Sequence, residues 1–215
     1  MFSKVFPKIH TEGYKFIVIS IFITVLLLIY SSFFGTIGLL LSIWVYYFFR
    51  DPERIIIEND NYLVSPADGE VIKVEEVDGP KEVGFENKKF KKISIFMNIF
   101  DCHVNRTPCA GKVEEILYKP GKFLNASFDK ASEDNERNYY KIKDMHGNNI
   151  IVVQIAGLIA RRIVCETNNG QELKQGDRIG MIRFGSRADI YYENYEPLVK
   201  VGQKTISGET LLAKK

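Results

Sequence analysis

Residues 181–192, MIRFGSRADIYY, read as a β-strand interrupted in its middle. Large and β-branched residues on either side suit a pleated, half-buried surface. Gly185 and Ser186 do not, because a glycine inside a strand costs backbone entropy and leaves nothing to pack. Three structural readings account for the interruption: a β-bulge, a bend at a sheet corner, or a close approach by another backbone. A fourth is chemical, since a Gly-Ser bond is a good place for a chain to attack itself.

The sequence around this stretch is a series of short alternating runs punctuated by Gly, Pro, Asn and Asp from Arg50 onward. The alternation predicts strands at 69–77, 92–98, 112–118, 139–143, 150–156, 161–165, 178–184 and 188–193. Helical periodicity is scarce there. Three segments, DGEVIKV at 68, AGKVEEI at 110 and GDRIGMI at 176, each set a glycine turn directly before an alternating strand. Such turn-then-strand repeats suit a barrel-like or sandwich β domain. The polar stretch 121–138, GKFLNASFDKASEDNERN, is too long for an idle connection and predicts a functional or irregular loop.

Toward the N-terminus the character changes. Residues 16–49 contain no charged side chain, which is too long for one relaxed membrane helix and slightly short for two. Ser31, Ser32 and Gly35 stand where a helical hairpin would turn. Lys4, Lys8 and Lys15 precede the run, and Arg50 and Arg54 follow it, so both flanks favour the cytoplasmic side. The chain is therefore expected to be mainly β, with an N-terminal arm and helical membrane hairpin over 1–49 and a β-rich domain over 50–215. The run is too long for a cleaved signal peptide and no small-residue cleavage pattern follows it.

A formal net charge of +2 gives no sign of a nucleic-acid partner. The basic cluster 86–92, ENKKFKK, reads as a solvated loop or, beside a membrane anchor, a sensor of anionic lipid. Cys102, Cys109 and Cys165 lack CxxC spacing, and strand neighbours point to opposite faces, so neither a disulfide framework nor a metal site is expected. Of three histidines, His10 and His146 are expected to be exposed and idle. His103 follows the apolar strand ISIFMNIF, where an imidazole is either a satisfied core residue or a rigid group facing a cleft. Asp68 in SPADGEV is either ordinary turn chemistry or a functional carboxylate.

Taken together, SPADGEV (65–71), FDCHVNRTPCAG (100–111), FLNASFDKASEDNERN (123–138) and FGSRADIYY (184–192) resemble the short form of the phosphatidylserine decarboxylase proenzyme family, over about Arg50 to Glu193. The resemblance implies self-cleavage at Gly185–Ser186 into a large subunit, 1–185, and a small one, 186–215, which remain together as a heterodimer. It implies that Ser186 becomes a pyruvoyl cofactor that forms a Schiff base with phosphatidylserine and yields phosphatidylethanolamine at the cell membrane, with the catalytic domain on the cytoplasmic face. Asp68 matches the family's cleavage carboxylate. In the family's HxxH segment this chain has HVNR, so His103 matches the first histidine and Arg106 stands at the second. His103 thus serves turnover as the acid, or both stages, with Asp68 acting on Ser186 more directly in the first case. Arg137 and Arg187 are expected partners for the substrate phosphate or carboxylate. The alternative function is a membrane-tethered, lipoyl-like carrier or adaptor, for which the glycine-turn repeats and LKQGDRIG would suffice; a carrier would need a lysine at a hairpin tip.

Overall fold

The structure is a computed structural model that describes residues 7–122, 134–157, 162–183 and 186–215. The predicted loop 121–138 falls largely outside them, as do Gly185 and the strand ends at Arg161 and Phe184. Two compact units divide at Glu53 and Arg54.

In the first unit, β1 (Lys8–Ile9) pairs antiparallel with β2 (Arg50–Asp51), and between them lie α1 (Tyr14–Tyr30) and α2 (Ser32–Phe48). The run Thr11–Tyr30 is long and apolar enough to cross a membrane, whereas Ser32–Phe48 is shorter. The turn falls where Ser31 caps α2, its side chain accepting from Phe33 N. Small residues let the two helices meet: a Cβ on Gly38 would lie 3.1 Å from the Thr24 backbone, and the Thr24 and Ser42 hydroxyls are 2.9 Å apart. Most large apolar side chains of both helices face outward, as membrane association requires. His10 corrects its expectation of exposure. It is 4% exposed, because its amide bonds the Phe49 carbonyl and its Nδ1 accepts from Glu12 N.

The second unit is mainly β. Its strands in chain order are β3 (Tyr62–Val64), β4 (Gly69–Asp78), β5 (Lys89–Met97), β6 (Val104–Arg106), β7 (Gly111–Lys119), β8 (Arg137–Asp144), β9 (Asn149–Ala156), β10 (Ile163–Cys165), β11 (Glu172–Leu173), β12 (Arg178–Ile182), β13 (Ser186–Tyr192), β14 (Glu196–Pro197), β15 (Lys204–Thr205) and β16 (Leu211–Lys214). An eight-stranded antiparallel sheet runs β11-β7-β8-β9-β13-β5-β4-β15, with two three-stranded sheets, β10-β12-β6 and β14-β16-β3. Alternation splits the large sheet into two faces. Ile150, Val152, Ala188 and Ile190 pack with Leu63, Ile179, Ile182 and Leu212 of the small sheets, forming the sandwich core. Ile151, Val153 and Ile155 point the other way, into a second cluster with Val83, Tyr139 and Phe90.

The two flanks of the interruption belong to different sheets. Met181 and Ile182 end β12 in a three-stranded sheet, and Ser186 begins β13 in the large one, between β9 and β5.

Two of the three segments of the faint repeat, those at 68 and 110, are structural equivalents; the third begins at Gly176, which instead closes the second of them. Ser65 and Thr107 each bond a carbonyl two residues on, Ala67 at 2.7 Å and Cys109 at 2.8 Å. Val71 N donates to Gln203 O and Val113 N to Gln171 O, and register shifts follow Val71 and Val113 alike. Across the pair, Val64 N donates to Pro108 O and Arg106 N to Pro66 O. Gly176 and Gly208 close the two halves at φ 81° and 80°, a conformation that favours glycine, and Ile56 lies against both.

Candidate active site

Ser186 is wholly buried and sits opposite Met97 on β5 and Ala156 on β9, its side chain on the sandwich-core face. Its Oγ lies 3.8 Å from Met97 Sδ, which also takes the Asn105 amide at 3.6 Å. From Asn105 a buried polar chain runs inward. Its Oδ1 accepts from Gln154 Nε2 at 2.8 Å, and Tyr140 Oη lies 2.8 Å from Gln154 Oε1 and 2.9 Å from the Ile179 carbonyl. Burial first, then the neighbouring Cys165, raises the Tyr140 phenol well above its usual range, so it stays a neutral hydrogen-bonding group. Buried amides with their partners in place fix one geometry and are costly to disturb.

His103 joins this end of the sheet through the backbone, its carbonyl accepting from Ile182 N at 3.2 Å, four residues before Ser186. The side chain is fully buried, with Nδ1 3.0 Å from the Asp101 carbonyl. A carbonyl only accepts, so Nδ1 carries a proton and Nε2 is the nitrogen that changes protonation.

Asp68 lies just before β4. Glu70 and Arg187 both stand opposite Phe96 of β5, so the Asp68 turn is two strands from Ser186, about 10 Å between backbones. The carboxylate is already engaged. Arg54 Nη2 donates to Oδ1 at 2.9 Å and Oδ2 at 2.7 Å, and Ser207 N donates to Oδ1 at 2.7 Å.

Arg137 and Arg187 fall elsewhere. They share one cross-strand row through Ile155 and project from the face opposite Ser186. Arg187, 1% exposed, grips Asp189 through Nε at 2.6 Å and Nη2 at 2.7 Å and reaches Ser94 Oγ at 3.1 Å. Arg137 lies 3.4 Å from Glu82 in the wall of a recess of about 470 Å³ that also takes in Lys92, Lys119, Asp189 and Tyr191. Against the opposing effect of burial, the Lys119 hydrogen bond and the Arg137 charge hold Glu82 below the usual carboxylate range. The structure thus brings Ser186, His103 and Asp68 to one end of the sheet and sets the two arginines on its other face.

Met97, Asn105, Gln154, Tyr140 and Arg54 are site neighbours that the sequence reading did not single out. Gln154 carried a signal: it is the lone amide inside the apolar run IIVVQIA, and a buried polar group in such a strand has a partner to find.

A buried serine at the start of β13, with an imidazole and a carboxylate at the same end of the sheet, makes this the candidate active site of the second unit. The family model described as phosphatidylserine decarboxylase matches residues 41–213. Over 215 residues the chain is 76% identical to the phosphatidylserine decarboxylase proenzyme of Pelagibacter ubique (strain HTCC1062), covering all of both chains. Against the proenzymes of Ruegeria pomeroyi and Cereibacter sphaeroides it is 53% and 51% identical, covering 95% and 99% of this chain and 94% and 92% of theirs. The chain belongs to the phosphatidylserine decarboxylase family. Nothing in these matches favours a carrier or adaptor without catalysis.

Proposed function

We propose that the chain is a proenzyme that cuts its own Gly185–Ser186 bond and then decarboxylates phosphatidylserine to phosphatidylethanolamine at a membrane. The observation that carries this reading is Ser186 itself, a fully buried hydroxyl on the first residue of a central strand, where the chain passes from one sheet to another. For cleavage, Ser186 Oγ adds to the Gly185 carbonyl carbon and gives up its proton to a base. The scissile C–N bond breaks as its nitrogen takes a proton, leaving an ester. Loss of the Ser186 α-proton expels the Gly185 carboxylate; the resulting dehydroalanine takes up water and releases ammonia, leaving a pyruvoyl end.

The surroundings fit that group. Met97 and Ala156 give the group an apolar lining, while the Asn105 amide supplies a fixed dipole beside Met97. In place, the pyruvoyl carbonyls supply the electron sink that loss of carbon dioxide requires. His103 returns the proton through Nε2, its ring held by the Asp101 carbonyl. Asp68 serves cleavage. Arg137 and Arg187 stand on the opposite face, in the row next to that of Ser186; Arg137, in the wall of the recess, is the candidate partner for the substrate phosphate or carboxylate, and Arg187 is held by Asp189. Residues 186–215 supply β13 through β16, three of them paired with strands from before the cut, so the two pieces stay together as a heterodimer. The basic flanks of the apolar hairpin support the cytoplasmic face for the second unit.

Intact-mass measurement tests this reading. The expected result is two pieces, 1–185 and 186–215, the smaller resistant to N-terminal sequencing and lighter by one ammonia than plain hydrolysis would give. Ser186→Ala is expected to stay a single folded, inactive chain. One intact chain in an active preparation would overturn the proposal.

A further inference from the structure

Each half of the internal repeat contains the same turn, and only one contains a carboxylate. Ser65-Pro66-Ala67-Asp68-Gly69 and Thr107-Pro108-Cys109-Ala110-Gly111 superimpose residue for residue in their hydrogen bonds. Gly208 N closes the first onto Ser65 O at 2.8 Å, and Gly176 N closes the second onto Thr107 O at 3.0 Å. Even the side-chain contact is mirrored: Ser207 Oγ donates to Pro66 O and Gln175 Nε2 to Pro108 O, both at 3.1 Å. Ala110 occupies the place of Asp68, so the turn forms without a carboxylate. Whatever Asp68 is for, it is not needed to fold its own turn.

What the carboxylate binds is Arg54. The guanidinium and Asp68 are 12% and 14% exposed in their side chains, at 2.7 Å. Burial acts first, to lower the Arg54 pKa, but the Asp68 charge and the neighbouring Cys102 and Glu209 raise it overall, so the arginine is firmly cationic. Glu209 also takes the next amide, Ile55 N, at 3.0 Å. The clamp is therefore assembled from three separate chain segments: 54–55, the Asp68 turn, and 207–209. Two of its members, Ser207 and Glu209, lie downstream of Ser186.

We propose that Arg54 is the positioning residue for Asp68, fixing the orientation of that carboxylate for the self-cleavage step. The inference rests on the self-cleaving reading above. It also excludes a role in which Asp68 moves freely, because both oxygens are held by one nitrogen and Oδ1 by a second donor as well.

The test follows self-cleavage in the full chain, synthesised cell-free with phospholipid vesicles, as a function of time, with its melting temperature measured alongside. Arg54→Gln is expected to slow cleavage about 10-fold to 100-fold, the range for loss of an orienting partner. Its melting temperature is expected to stay close to that of wild type, since the equivalent Ala110 turn forms with neither carboxylate nor cation. Arg54→Lys, which keeps the charge but not the planar fork, is expected to restore part of the rate. A merely structural role would lower the melting temperature and the rate together in both variants, and that result overturns the proposal. So does wild-type cleavage by Arg54→Gln. Should Arg54→Gln fail to fold, Arg54→Lys decides: a partial rate at the wild-type melting temperature supports the clamp, and a wild-type rate, or a rate that falls only with the melting temperature, overturns it. An uncut wild-type chain overturns the self-cleaving reading itself, and the clamp with it.

Discussion

The half of the domain built on Ser65–Gly69 and the half built on Thr107–Gly111 share their turns, their register shifts and their closing glycines, yet they treat acidic side chains in opposite ways. In the first, Asp68 reaches out of its turn to a cation from a distant segment and to the amide of Ser207. In the second, the nearest buried acid is Asp144, opposite Gly111, and it is satisfied close to home. It accepts from His146 N, Asn148 N and Asn148 Nδ2, and from the Tyr195 hydroxyl. One acid is spent on holding a hairpin; the other is held by the fold. Symmetry of the backbone supplies the scaffold, and departure from symmetry marks where the chemistry is.

The largest effect is expected from making the first half like the second. Asp68→Ala reproduces the Ala110 turn, so the β domain should fold, with Arg54 left facing Glu209 across the gap. Cleavage, read as the fraction of uncut chain over time, should fall by roughly 10² to 10⁴, the scale of losing a proton-transfer group or its fixed partner. The reciprocal Ala110→Asp should leave cleavage unchanged. A slowed Ala110→Asp chain would mean that the comparison confuses folding with chemistry.

A smaller effect separates the two closing glycines. Alanine at Gly176 or Gly208 meets both a positive φ and the Ile56 side chain, so each should cost stability by more than about 1 kcal/mol in thermal or denaturant melting. Cleavage should slow chiefly in Gly208→Ala, because the preceding residue, Ser207, donates to Asp68. Equal slowing in both would assign the effect to general loosening of the fold.

The smallest effect concerns acid. Burial opposes it, yet the Asn148 side-chain and backbone bonds, with Tyr195 and His146, hold Asp144 below the usual carboxylate range. A carboxylate lowered by folding stabilises the folded state above its unfolded pKa, about 3.9, and that stability is lost as pH falls through the folded value. Wild type should therefore lose stability progressively below about pH 4, and Asp144→Asn should be less stable at neutral pH with a shallower acid dependence. An unchanged acid limb in that variant would show that Asp144 is not the group that sets it.

Much of this was legible in the sequence because its signals are local. Period-two alternation placed eight strands within a few residues of where they form, an uncharged apolar run marked the helical hairpin, and the glycine turns at 68 and 110 betrayed the repeat, whereas the one at 176 belongs to its closing segment. Gly185 and Ser186 were visible as a fault in a strand, and the structure describes what surrounds that fault: β12 ends in one sheet and β13 begins in another. Partnerships were decided only by tertiary structure, since they depend on strand register. Arg187 follows Ser186 in the chain, but a strand turns neighbours to opposite faces, so Arg187 meets Asp189 and Ser94 while Ser186 meets Met97. Asp68 finds Arg54 at a separation of 14 residues and Ser207 at 139, distances over which composition and periodicity carry no information. A carboxylate's presence is written in the chain; its partner is set by which strands lie side by side.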